Sequence, residues 1–187
     1  ILPHWTWPGR EGEVTPVFVY TNYPAAELFI NGKSYGKQSK NNSSLKSRYR
    51  LMWMDAVYEP GEVKVVAYDK DGKAVAEKSV RTAGKPHHIE LVSNRNELTA
   101  DGKDLAYVTV KIVDKDGNLC PTAANEITFK VKGKGYYRAG ANGDPTSLES
   151  FQAPHMKVFS GMMTAIVSST EEPGKITLEA TSKGLKK

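Results

Sequence analysis

Two aspartate-rich loops are the first candidates for chemistry in this sequence: Asp69-Lys70-Asp71-Gly72 and Asp114-Lys115-Asp116-Gly117-Asn118. Clustered side-chain oxygens suit a calcium ion, but an EF-hand loop needs glycine at its sixth position and glutamate at its twelfth. Counted from Asp114, those positions hold Leu119 and Asn125, so turn chemistry explains both segments. The histidines His4, His87, His88 and His155 have no partners at metal-ligand spacing. Cys120 is the single cysteine, which rules out an internal disulfide and a multi-cysteine zinc site and leaves a small packing residue. There is no Ser-His-Asp order, nucleophile elbow or phosphate-cradling loop. A carboxylate acid/base pair needs two carboxyl groups roughly 5–10 Å apart across a cleft, and two small sandwiches rarely supply one. The residues therefore predict a non-catalytic chain that needs no cofactor and no metal.

The remaining candidates are binding residues. Trp5 and Trp7 stand with His4 in a proline-rich arm, Ile1 to Arg10, and Trp53 lies further along the chain. An indole can stack on the C–H face of a sugar, or it can bury its large area against a neighbouring domain, and the second reading is favoured for the arm. The formal charge of +5 and pI near 9.1 raise a nucleic-acid reading. The lysines, however, are scattered through turns and interleaved with acids, and the densest cluster (Lys40, Lys46, Arg48, Arg50) has no recognised nucleic-acid motif around it. It reads as a solvated loop, and nucleic acid is set aside. No apolar run approaches the roughly 20 residues of a membrane span.

These side chains must be carried by β-strands. The chain is 39% hydrophobic and 25% charged, a globular balance. It opens at Ile1 without a starting Met, which reads as a piece of a longer polypeptide. Thr82-Ala83-Gly84-Lys85-Pro86 is a short stiff connector between strand-like runs, and it divides the chain into 1–83, with an extended arm over 1–12, and 84–187. In the first half strands are predicted over Val14–Asn22, Glu27–Ile30, Tyr49–Val57, Val63–Tyr68 and Ala74–Arg81. Asn31-Gly32 is a type I′ hairpin signal, and Lys37–Ser47 is a polar loop. In the second half strands are predicted over His88–Ser93, Leu105–Asp114, Ile127–Val131, Val158–Ser168 and Ile176–Thr181. Ala106, Val108, Val110 and Ile112 form a core face, Gly133–Asp144 is a glycine-rich stretch and Pro145–Pro154 a loop. Short strands, tight turns and no helical period give an all-β fold of two tandem immunoglobulin-like β-sandwich domains.

Ile1 to Gly12 resembles the segment that follows the catalytic barrel in glycoside hydrolase family 2 β-galactosidases of Bacteroides-like bacteria. Val17–Asn22, Glu27–Ser34, Tyr58–Glu62 and Val80–Gly84 resemble the accessory domain after it. Ala100–Leu105, Val113–Gly117, Ala141–Pro145 and Phe159–Gly161 resemble the bacterial Ig-like domain near the C-terminus. One departure is Thr6, where asparagine is expected between the tryptophans. The resemblance implies that both catalytic glutamates belong to the preceding (β/α)8 barrel, so none is carried onto this chain. It implies a retaining β-galactosidase as parent, periplasmic or at the cell surface, and a further strand after Gly184-Leu185. This pair of domains would then brace the barrel, contact glycan or mediate homo-oligomer contacts. The alternatives are a stand-alone carbohydrate-binding module, using Trp5, Trp7 or Trp53, and an Ig-like surface spacer or adhesin.

Overall fold

A computed structural model describes residues 1–186, which form two compact all-β units, Ile1–Thr82 and a second from Ala83 onward. In the first unit the elements are β1 (Val17–Val19), β2 (Ala25–Ile30), β3 (Lys33–Ser39), a helical turn α1 (Leu45–Arg48), β4 (Leu51–Trp53), β5 (Glu62–Tyr68) and β6 (Ala74–Arg81). An antiparallel sheet of order β3-β2-β5-β6 packs against the two-stranded sheet β1-β4. Period-two alternation places Val63, Val65 and Ala67 of β5 inward beside Ala26, Leu28 and Ile30 of β2. Val17, Val19, Leu51 and Trp53 supply the opposing wall.

The β2–β3 turn follows its sequence signal. Asn31 has φ 48° and Gly32 φ 81°, the pair of positive angles that a type I′ turn requires. Asn31 also clasps the next turn, accepting from the Glu62 amide at 2.8 Å and donating to the Pro60 carbonyl at 3.2 Å. At Gly61 (φ 139°) a Cβ would stand 2.0 Å from the Asn31 Oδ1, so no other residue fits that clasp.

The second unit contains β7 (His88–Ser93), β8 (Leu105–Val113), β9 (Glu126–Gly133), β10 (Gly135–Ala141), β11 (His155–Lys157), β12 (Met162–Ser169) and β13 (Ile176–Thr181). Its two sheets, β10-β12-β8-β7 and β11-β9-β13, enclose Val108, Val110, Ile112, Ile127, Phe129 and Met156. The core face read from the alternation of β8 is buried, from Ala106 at 8% exposure to Ile112 at 0%. Along the free edge of β7, Lys186 makes a parallel bridge to His88, its amide donating to the His87 carbonyl at 2.8 Å. A strand continuing past that bridge lies outside the described residues.

Three expectations need correction. The polar stretch Lys37–Ser47 begins as strand, because β3 pairs with β2 as far as Ala25↔Ser39, and it ends in α1, capped by the Ser44 side chain accepting from the Lys46 amide. The glycine-rich stretch Gly133–Asp144 contains β10, paired with β12. A Cβ at Gly135 would meet Ile176 and the Ser168 carbonyl at 2.8 Å, and one at Gly140 would meet the Tyr137 hydroxyl at 2.4 Å. Glycine here permits close packing of a strand and does not mark a turn. Finally, the run Val158–Ser168 is interrupted. Ser160 (φ 50°) and Gly161 (φ 75°) turn the chain between β11 and β12.

Asp114 fixes the start of the second unit. Its carboxylate is 2% exposed and accepts from the amides of Gly84, Asp116 and Asn118 and from the Asn118 side chain. Burial alone would raise its pKa, but the hydrogen bonds from Gly84, Asn118 and Asp116 prevail and lower it from 3.8 to about 2. A depressed carboxylate pKa gives stability that is present above the unfolded value and is lost as pH falls through the folded one. The contribution is about 2 kcal/mol, all of it at stake between pH 4 and pH 2. Asp114→Asn should remove it at neutral pH and flatten that part of the acid-denaturation profile, measured by unfolding of the second unit between pH 2 and pH 7. An unchanged slope would refute this account.

Candidate functional site

The arm places three of the four candidate residues, and places them unequally. Leu2 pairs with Phe18 across two backbone hydrogen bonds of 2.8 and 2.7 Å, so the arm enters as an edge of the β1-β4 sheet. This turns Trp5 into the sandwich, where it is 1% exposed and meets Tyr58 edge-on at 5.2 Å. Its indole N–H donates to the Glu59 carbonyl at 2.9 Å, and its own carbonyl accepts from the Thr82 hydroxyl at 2.5 Å. Every polar atom carried inward by the ring thus has a partner, as burial requires. Trp5 packs into its own domain. Thr6, the departure from the family pattern, is 5% exposed, and its amide lies 3.3 Å from His4 Nδ1.

Trp7 is half-buried at the margin of the same core. His4 stacks on it with ring centroids 4.1 Å apart, and the Arg10 guanidinium lies 5.4 Å from its centroid. Its indole N–H donates to the His4 carbonyl at 2.8 Å, and its amide to the Tyr58 hydroxyl at 3.2 Å. Burial holds the His4 pKa below the ordinary 6.5, so the ring that stacks on Trp7 is neutral at pH 7.

Trp53 belongs to the far side of the core. It is 1% exposed, and its indole N–H donates to the Gly36 carbonyl at 3.0 Å. Next to it the Gln38 side chain behaves as an extra peptide group, its amide donating to the Met52 carbonyl at 2.9 Å and its oxygen accepting from the Met52 amide at 3.2 Å. Together these bonds close the sandwich along the β3/β4 seam and satisfy the free edge of β4. Sequence reasoning missed Gln38, since nothing local marks a glutamine as a cross-sheet clasp. As stacking platforms for a sugar, Trp5 and Trp53 have no face to offer, because both rings are consumed by the core.

The other titratable groups serve local structure. Asp69 accepts from the amides of Asp71 and Lys73, and Asp144 from the amide and hydroxyl of Thr146, which is turn chemistry. His87 and His88 share one hydrogen bond between their Nδ1 atoms at 2.9 Å. The buried Cys120 thiol is pushed up in pKa by burial and by Asp114. Among the described residues no group of three or more His, Cys, Asp or Glu side chains gathers to hold a metal. A cleft of about 840 Å³ in the second unit has an apolar floor that includes Leu91, Val108, Ile176 and Leu178, and Lys134 and Glu172 pair at its rim.

The burial pattern predicts an order of cost. Trp5→Ala should destabilise the first unit by about 3–5 kcal/mol, as for other large-to-small changes in a core. Trp7→Ala, at the core margin, should cost less, about 1–2 kcal/mol. Chemical denaturation of the two variants checks this, and equal losses would show that Trp7 is as much a core residue as Trp5.

Comparison with known proteins agrees along the chain. Residues 89–187 match the Glycoside hydrolase family 2 C-terminal domain 5, and residues 12–76 match a domain of unknown function (DUF4982). A Bacteroides ovatus protein named Beta-galactosidase BoGH2A is 43% identical over 187 residues, which is 100% of this chain and 21% of that protein. A Formosa agariphila protein named beta-glucuronidase is 27% identical across 100% of this chain and 18% of its own length. The solved structure of a β-glycosidase from Bacteroides vulgatus superposes with a TM-score of 0.90 at 37% identity, covering 98% of this chain and 23% of that one. The chain therefore spans about a fifth of the length of these relatives. With the family match covering more than half of its residues, the chain belongs to the C-terminal domains of glycoside hydrolase family 2.

Proposed function

We propose that this chain is the non-catalytic accessory pair of a family 2 β-glycosidase and that it braces the catalytic barrel of its parent. The observation that carries this reading is the disposition of its aromatic and titratable side chains. Trp5, Tyr58 and Trp53 are spent on the core, Asp69, Asp114 and Asp144 on backbone amides, and the arm that enters from Ile1 is locked into the sandwich. Such a unit gives a rigid, pre-folded surface and little of what a reaction needs. Full-length alignment to a small share of a β-galactosidase supports the placement beside a larger catalytic region. On this reading the parent is a retaining β-galactosidase or β-glucuronidase, with both catalytic glutamates in its barrel, exported to the periplasm or cell surface.

The test compares the parent enzyme with a version lacking this region, and with the 187-residue chain alone. The chain alone should release no chromophore from nitrophenyl β-galactoside or β-glucuronide. The shortened parent should unfold at a temperature several degrees lower, about 2–4 °C for each 1 kcal/mol of lost interface in a large domain. Hydrolysis by the chain alone, or a shortened parent with unchanged stability and assembly state, would refute the reading.

A further inference from the structure

The basicity of this protein is local. From Leu28 to Met54 the sequence has six lysines and arginines (Lys33, Lys37, Lys40, Lys46, Arg48, Arg50) and no aspartate or glutamate. These six charges exceed the formal +5 of the whole chain, so the remainder sums to −1 (20 Lys and Arg against 21 Asp and Glu). This segment runs through β3, the loop and α1 that follow it, and the approach to β4. β3 carries Lys33 and Lys37, Lys40 follows it directly, α1 carries Lys46 and Arg48, and Arg50 precedes β4. The Gln38 and Trp53 hydrogen bonds join β3 to β4 in a seam.

Elsewhere six cations pair with acids, in Arg10–Glu13, Arg81–Glu62, Arg95–Asp104, Lys111–Glu90, Lys132–Glu179 and Lys134–Glu172, while others, such as Lys64, Lys115 and Lys183, have no carboxylate within 4.0 Å among the described residues. None of the six seam cations has a carboxylate within 4.0 Å among the described residues. Their contacts are rings and carbonyls. Lys40 donates to the Thr21 carbonyl, and Arg48 to the Asn42 carbonyl at 2.8 Å. Lys37 lies 3.8 Å from the Tyr68 ring centroid. Two exposed tyrosines stand beside the arginines. Tyr49 is 62% exposed with the Arg48 guanidinium 6.0 Å from its centroid, and Tyr20 is 52% exposed with its hydroxyl 3.4 Å from Arg50 Nη1.

A guanidinium fork matches a carboxylate in geometry and charge, and an exposed phenol ring offers a flat apolar face with a polar tip. A charged sugar presents both complements, a C–H face for the ring and a carboxylate for the fork. We propose that the β3/β4 seam binds a carboxylated polysaccharide, a polyuronate, through Lys46, Arg48, Arg50, Tyr20 and Tyr49. This rests on the accessory reading above and names the class of glycan that the accessory surface would meet. The seam supplies long-range attraction along the chain of carboxylates, and the rings discriminate against polyanions without a sugar face.

The test titrates the 187-residue chain with polygalacturonate, with an uncharged galactan of matched length and with a single-stranded oligonucleotide of matched charge. Polygalacturonate should bind at least about tenfold more tightly than either, and its binding should weaken as salt rises. Lys46→Glu with Arg48→Glu should weaken it about tenfold. Lys115→Glu with Lys183→Glu changes the net charge equally in the second unit and should leave binding unaltered. Tyr49→Ala should reduce polygalacturonate binding more than residual oligonucleotide binding. All these side chains are exposed, so thermal unfolding should stay at the parental midpoint. Absence of polygalacturonate binding, equal binding of the oligonucleotide, or equal loss in the two double variants would overturn the proposal. None of these results bears on the parent's stability without this region, so the two readings fail separately.

Discussion

The first unit depends on one buried ring. Trp5 shares the core with Trp53, Tyr58 and smaller Val, Leu, Ile and Ala side chains, and it arrives from an arm with no secondary-structure period of its own. Two segments distant in sequence close on it: Tyr58-Glu59, through the Tyr58 ring and the Glu59 carbonyl, and Thr82 through its hydroxyl. Burying an indole is favourable only where its N–H is matched, and the Glu59-Pro60-Gly61 turn supplies the acceptor. That turn is in its place because Asn31 and Thr82 hold it from either side. The hairpin, the turn, the arm and the end of β6 are therefore one connected arrangement around the ring.

The second unit solves a similar problem by electrostatics. A buried carboxylate is costly unless its lone pairs are filled, and Asp114 fills them with three amides and an asparagine side chain. One of those amides, Gly84, belongs to the connector, so the first residues of the unit are fixed by a group some thirty positions later. Cys120 sits against the same connector, 3.6 Å from the Gly84 carbonyl. With one thiol in the chain, hydrogen bonding and packing carry what a disulfide carries in many small sandwiches.

Both solutions bear on function in the same way. Trp5, Trp53 and the Asp114 carboxylate are spent on holding the sandwiches, and exposed rings such as Tyr20 and Tyr49 remain on the surface. That surface is uneven, since six cations fall between Leu28 and Met54 with no aspartate or glutamate among them, whereas acids and bases are interleaved in the second unit. The chain belongs to the family 2 C-terminal domains and aligns to about a fifth of a protein named as a β-galactosidase.

The fold class was legible because alternation is a local property. Ala106-Val108-Val110-Ile112 and Val63-Val65-Ala67 declare an inward face by period alone, and Asn31-Gly32 declares its turn because few residues accept two positive φ angles. The ordered motifs from Ile1 to Gly161 likewise identified the family without coordinates. Elements whose meaning depends on a neighbour were not legible. Gly135 and Gly140 resemble loop residues until Ile176 and Tyr137 are seen to fill the space of a missing side chain, and then β10 is a strand. Gln38 is a surface residue by pattern and a clasp by position. Trp5 and Trp53 are equally good as platforms or as core in a list of residues, and only the closing of two sheets decided that they are core. The sequence determined which residues prefer to be inside, because hydrophobicity and backbone preference belong to each residue. The tertiary structure decided which of them find partners there, because burial and hydrogen bonding belong to pairs.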